Sequence, residues 1–222
     1  MARDEKTMAV VTLLQGYLAN ADLTQDGRLP AERVLAETLA VSRPEIRKAL
    51  DVLEGTGQVW RHVGKGTFLG PRPVASVDTV LEIAKQTDIS AVMEARIKLE
   101  PTLAGMAAKN ATTAQIDAMS RLTQQSWTPD MSWRAFEGLD ANLHRMIATA
   151  AGNTVLLHLF DELSVIRRAV TWARTRSDPS GPPQSHHSFY DHIRIVEAIS
   201  GRNADDAERY MTEHLSAVRV RF

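Results

Sequence analysis

The stretch whose reading decides the fold covers residues 28–69, RLPAERVLAETLAVSRPEIRKALDVLEGTGQVWRHVGKGTFL. Pro30 suits the start of a short helix over 31–40, with Val34, Leu35 and Leu39 as its apolar stripe. Val41-Ser42 makes a tight turn. Ser42 is then the N-cap of a helix over 43–54, and Pro44 sits in its first turn, where a missing N–H costs little. Ile46, Leu50 and Leu53 face inward, which leaves Arg43 and Arg47 on another face near the N-terminal end. After Gly55 and Gly57 the pattern changes to short strands, 58–62 and 67–69, joined by Val63-Gly64-Lys65-Gly66. Two helices, a tight turn and a hairpin wing with a lysine at its tip read as a DNA-binding module. The second helix would enter a major groove, and Lys65 with the wing's backbone N–H groups would follow phosphates or the minor groove.

Upstream, residues 7–19 carry Val10, Val11, Leu14 and Leu18 at helical spacing, and breakers between Asn20 and Pro30 end that helix. Downstream, Pro71 and Pro73 mark a linker over 71–77. Residues 1–70 therefore form one domain. Residues 78–222 form a second, in which every strong pattern is helical: 78–86, 88–109, 113–126, 132–151, 154–174, 187–200 and 204–220. Thr112 and Ser132 are candidate caps, Gly152-Asn153 and Gly201 punctuate ends, and 176–184 is the one long loop rich in breakers. The fold class is mainly α, a winged helix-turn-helix joined to a helical bundle.

The 222 residues are 44% hydrophobic and 24% charged, enough for two cores and unlike a disordered chain. No signal-like segment is present, and no run approaches the roughly 18 apolar residues of a membrane helix, so a soluble cytoplasmic protein without membrane contact is expected. The absence of cysteine excludes disulfides, thiolate metal sites and cysteine nucleophiles. A net charge of −1 argues against a wholly basic nucleic-acid binder. Residues 1–72 hold ten Lys/Arg against nine Asp/Glu, so charge alone does not establish DNA binding.

Polar groups on apolar stripes are the informative anomaly of the second domain. Phe136, Asp140, His144 and Ile147 follow at spacings of four, four and three. His192 lies between Phe189 and Val196, and His214 follows Ala207 and Met211 and precedes Val218. Three helices thus aim ionisable groups inward, where each is costly unless paired, and one divalent cation would satisfy all four. A single histidine on a stripe is more often structural, so the weight lies in the coincidence. His62, His158, His186 and His187 lack this placement and read as surface or loop residues. Arg96, on the row Val92, Arg96, Leu99, Leu103, Met106, needs an anion. An intrahelical pair with Glu100 is the first candidate and a bound carboxylate the second.

Taken together, Arg28-Leu-Pro-Ala-Glu-Arg33, Leu35-Ala36, Val41-Ser42-Arg43, Arg47, Ala49-Leu50, Leu53-Glu54, Gly57 and Gly64-Lys65-Gly66-Thr67-Phe68 resemble the winged helix-turn-helix of GntR-type regulators. The second domain resembles the FCD ligand-binding domain of the FadR subgroup, through Glu94-Ala-Arg96 to Glu100-Pro101, Asp140 with His144, Gly152-Asn153, and His192 and His214 flanking Ala198-Ile199 and Gly201. The resemblance implies a homodimer on a palindromic operator, with Arg33, Arg43 and Arg47 touching bases and phosphates. Ser42, Glu45, Lys48, Gly64, Lys65 and Gly66 complete the expected DNA-facing set. It also implies a metal held by Asp140, His144, His192 and His214, and a small organic acid beside it contacted by Arg96. Zinc fits first, with nickel, manganese and iron as alternatives.

One departure is Pro44-Glu45, which puts an acid near the reading face, either accepting from cytosine N4 or orienting Arg33 or Lys48. The expected function is a transcriptional regulator, a repressor under control of a carboxylate bound at the metal site, with no catalytic residues. The alternatives are a metal-dependent enzyme using the Asp/His set and a regulator whose second domain only dimerises.

Overall fold

The structure is a computed structural model and describes residues 2–21, 23, 27–62, 64–70, 72, 77–125, 131–171, 181–183 and 185–220. The chain divides into two compact units, Met1–Pro73 and Val74–Phe222.

The first unit contains α1 (Ala2–Asn20), α2 (Glu32–Thr38), α3 (Arg43–Gly55), β1 (Val59–His62) and β2 (Gly66–Leu69). α1 begins five residues before the predicted 7–19 helix, because its first turns carry no apolar stripe for periodicity to register. Val10, Val11, Leu14 and Leu18 are buried, as are Ile46, Ala49, Leu50 and Leu53 of α3. α2 is shorter than predicted, and only Leu35 and Ala36 of it are buried. Val34, expected on its inner stripe, is exposed, since two turns of helix reach α3 through one narrow face. The turn between α2 and α3 holds Ala40 at φ 53, a left-handed conformation uncommon for a residue with a Cβ.

β1 and β2 pair antiparallel from Val59↔Leu69 to His62↔Gly66, with Trp60 stacked on Phe68 at 4.7 Å. The segment before Pro30, read from sequence only as a breaker, joins this hairpin. Arg28 bridges Phe68, Leu29 N donates to Thr67 O (2.8 Å), and Leu69 N donates to Gly27 O (2.9 Å). The wing is therefore fastened along its outer edge.

The second unit is helical throughout its described residues: α4 (Val77–Gln86), α5 (Ile89–Asn110), α6 (Thr113–Gln125), α7 (Trp133–Ala150), α8 (Thr154–Thr171), α9 (His187–Ser200) and α10 (Ala204–Arg219). Ser132 caps α7 by accepting from Ala135 N, and Thr112 exchanges hydrogen bonds with Gln115 at the start of α6. α5 is the central helix and packs against α7, α8, α9 and α10. Met93, Ala104, Ala107, Leu143, Ile147, Ile195, Ile199, Met211 and Leu215 form the core. The end of the predicted 154–174 helix and most of the 176–184 loop lie outside the described residues.

Leu50 is fully buried, so Leu50→Ala is expected to destabilise the first unit by about 2–5 kcal/mol. Val155→Ser, at a site 70% exposed, should stay within about 0.5 kcal/mol. Chemical unfolding of the two variants checks the contrast.

Candidate functional sites

In the first unit, Arg43 and Lys48 are exposed and pair with no side chain among the described residues. Arg33 pairs with Glu37 (2.7 Å) and Arg47 with Glu32 (2.9 Å); both arginines are exposed. Gly64, Lys65 and Gly66 are exposed at the wing tip. At Gly66 the backbone has φ 115, and a Cβ there would lie 3.1 Å from Arg28 Nε, so Arg28 stands beside the tip. Sequence reading did not single out that arginine as a functional residue.

Among the described residues Glu45 contacts neither Arg33 nor Lys48. Its carboxylate accepts from Ser42 N (2.8 Å) and Ser42 Oγ (2.6 Å), closing a capping box at the start of α3. Its other oxygen pairs with Lys6 of α1 (2.7 Å). Hydrogen bonds from Lys6 and Ser42 hold its carboxyl down at about 2. The acid caps the helix and anchors α1, rather than orienting Arg33 or Lys48.

In the second unit, the four residues on apolar stripes converge. His144, His192 and His214 are 3%, 1% and 1% exposed, and each of these residues and Asp140 offers a ligand atom within 4.8 Å of the others. Asp140 Oδ1 lies 3.3 Å from His192 Nε2 and 3.7 Å from His144 Nε2. Those two Nε2 atoms are buried and accept or donate no hydrogen bond among the described residues. Burial lowers His192 and pushes His214 down to about 3, the latter against its bond to Asp191, so both rings are neutral at neutral pH. Burial opposes the charge on Asp140, yet His144, His192 and Arg167 hold it well below the usual carboxylate range.

The far sides of two rings are also held. His144 Nδ1 contacts Glu100, and His214 Nδ1 lies 3.3 Å from Asp191 Oδ2, which His187 Nδ1 also meets at 2.8 Å. A carboxylate at Nδ1 selects the tautomer with a bare Nε2. Neutral rings, orphaned buried Nε2 atoms and an ionised carboxylate are the donor set a divalent cation requires, so these residues fit one. His187 and His186 correct the reading of them as ordinary loop residues. His187 reaches the cluster through Asp191, and His186 is buried among Trp133 and Phe136, each at 5.4 Å.

Arg96 is 5% exposed and bonds Glu100 through Nε (2.5 Å) and Nη2 (3.4 Å). Burial opposes its charge, but Glu100 outweighs that and raises the guanidinium above its ordinary value. The intrahelical pair is therefore real, and it does not exclude the second role. Arg96, Glu100 and His144 line a small cavity with Phe160, Ser164 and Arg167. Arg167 escaped the sequence reading, although Phe160, Ser164 and Arg167 follow at spacings of four and three, the same signal that exposed Arg96.

Residues 6–69 match the gntR family of bacterial regulatory proteins, and residues 91–217 match the FCD domain. The chain belongs to the GntR family. Two transcription factors are similar to it along nearly their whole length. The HTH-type transcriptional regulator LutR of Bacillus subtilis (strain 168) is 28% identical, over 90% of this chain and 94% of LutR. The HTH-type transcriptional repressor NanR of Escherichia coli (strain K12) is 27% identical, over 98% of this chain and 84% of NanR. Among solved structures, Streptococcus agalactiae GntR is 23% identical with a TM-score of 0.49, covering 98% of both chains. This GntR-family protein is thus a DNA-binding transcriptional regulator of the FadR-like subgroup, not an enzyme. No helix among its described residues is long and apolar enough to cross a membrane.

Glu100 is the buried partner of both Arg96 and His144. Glu100→Ala strands an uncompensated guanidinium and is expected to cost about 3–5 kcal/mol in urea unfolding. A loss below about 1 kcal/mol would show that Arg96 finds another anion.

Proposed function

We propose that this regulator is a metal-dependent repressor whose affinity for its operator is set by a small carboxylate bound beside the metal. The observation that carries the reading is a buried donor set, Asp140, His144, His192 and His214, sharing His144 with a cavity lined by two arginines. Bound there, a divalent cation, zinc before nickel, manganese or iron, would supply positive charge and open coordination positions for an anionic ligand. Arg96, already oriented by Glu100, contributes a guanidinium face for the carboxylate. In the first unit, Arg43, Arg47 and Lys48 of α3, Arg33 of α2, and Lys65 with Gly64 and Gly66 supply the DNA-facing groups. Ser42 and Glu45 act from behind by fixing the start of α3. The regulator works as a homodimer, two copies of α3 reading the halves of a palindromic operator. The acid binds one state of the protein better than another, and a coupling of about 1–3 kcal/mol changes operator affinity by about 5–150-fold.

Protein purified without chelators is expected to carry one divalent ion per chain by elemental analysis, and EDTA should lower its melting temperature, reversibly on adding zinc. Metal-free protein with unaltered melting would overturn the metal reading.

For DNA, Arg43→Ala and Arg47→Ala should each cost about 1–3 kcal/mol of discrimination between operator and random duplex, with unchanged circular dichroism. Retained discrimination in both variants would remove α3 as the reading helix.

A further inference from the structure

Arg167 is a partly buried cation that pairs with no carboxylate among the described residues of the second unit. It lies on α8 and lines the same cavity as the Arg96–Glu100 pair of α5. Three carboxylates lie near enough to be felt by it: Asp140, Glu100 and Glu137. Each has another place. Asp140 sits against His144 and His192, Glu100 is taken by Arg96 and His144, and Glu137 is exposed on α7. Burial and the neighbouring Arg96 both work against the charge on Arg167. A solvated arginine would feel neither.

Glu100 is the one carboxylate among the residues lining this cavity, and it is already bonded to Arg96 and His144. A ligand with a single carboxylate gives one of the two guanidiniums a partner, and a ligand with two gives each of them one. The space between these side chains is small, so the occupant is short. Phe160 and Leu163 line the same wall and leave Ser164 as the remaining polar group on α8.

We propose that Arg167 is a specificity-determining residue that binds a second carboxylate, so that the effector of this regulator is a short-chain dicarboxylate rather than a monocarboxylate. The proposal rests on the metal-and-carboxylate reading above and adds the second anionic head. Arg96, on the metal side through Glu100 and His144, takes one carboxylate. Arg167, on α8 in the wall of the same cavity, takes the other, each as a charge-assisted pair.

The test uses zinc-loaded full-length protein and two four-carbon 2-hydroxy acids that differ in one carboxylate, malate and 2-hydroxybutyrate, titrated calorimetrically. Malate is expected to bind at least about tenfold more tightly, the effect of one buried charge-assisted pair. Arg167→Met should bring malate to the level of 2-hydroxybutyrate and leave 2-hydroxybutyrate unchanged, with Arg167→Lys intermediate. Equal affinity of the two acids for the unsubstituted protein overturns the proposal while leaving the carboxylate site standing, and this comparison needs no variant to fold. A parallel loss of both acids in Arg167→Met, with zinc retained, also overturns it, because Arg167 then only shapes the pocket. Failure of both acids to bind zinc-loaded protein overturns this proposal together with the reading beneath it.

Discussion

Much of the second unit's polar interior depends on one carboxylate. Glu100 is buried on the central helix α5, bonded on one side to Arg96 and on the other to His144. Burial alone would raise its pKa and neutralise it, but Arg96 first, and His144 after it, hold it below the ordinary carboxylate range. Its ionised form therefore does two tasks. It keeps a guanidinium charged inside the bundle, and it fixes the ring of His144 with Nε2 turned toward Asp140 and the other imidazoles. Asp191 plays the corresponding part for His214, with His187 completing a chain that ends at the half-buried start of α9. A cluster of three bare histidines would be free to choose tautomers. These two carboxylates remove that freedom for His144 and His214 before any ligand arrives, which lowers the reorganisation cost of binding one.

The same carboxylate would link the two proposed binding events. Arg96 lines the cavity and His144 belongs to the donor set, so a ligand drawn to the guanidinium and an ion drawn to the imidazole act on a shared partner. The groups are ordered on both sides by rigid helices of a packed core, in which small displacements are resisted and passed on to neighbours. On the proposed reading, that is how an acid of modest size would bias the regulator.

Sequence periodicity was sufficient for the framework because each helix repeats one rule many times. Helix boundaries fall within a residue or two of their predicted places wherever apolar residues mark both ends, and fail at the start of α1, where none do. The four members of the donor set were visible for the same reason: an ionisable residue on an apolar row violates the rule locally. Glu100 and Arg96 were visible as neighbours on one helix, but the Glu100–His144 contact spans 44 residues and has no local signature. Asp191 is polar on a half-exposed row, as surface residues usually are, so its contact with His214 is a product of helix packing alone. Arg167 did carry the local signal and shows the limit of attending to histidines first.

Glu45 shows the complementary point in the first unit. At the level of residue type, an acid among Arg43, Arg47 and Lys48 conflicts with binding a polyanion. At the level of geometry the conflict is largely removed, because both oxygens are occupied on the protein side, by Ser42 and by Lys6. An acid at the third position of a helix complements the positive end of the helix dipole, and the lysine from α1 offsets the charge that remains. The acid thus strengthens the start of α3 while contributing little net repulsion where phosphates would approach. On these contacts, the departure from the family pattern is a change in how the start of α3 is held.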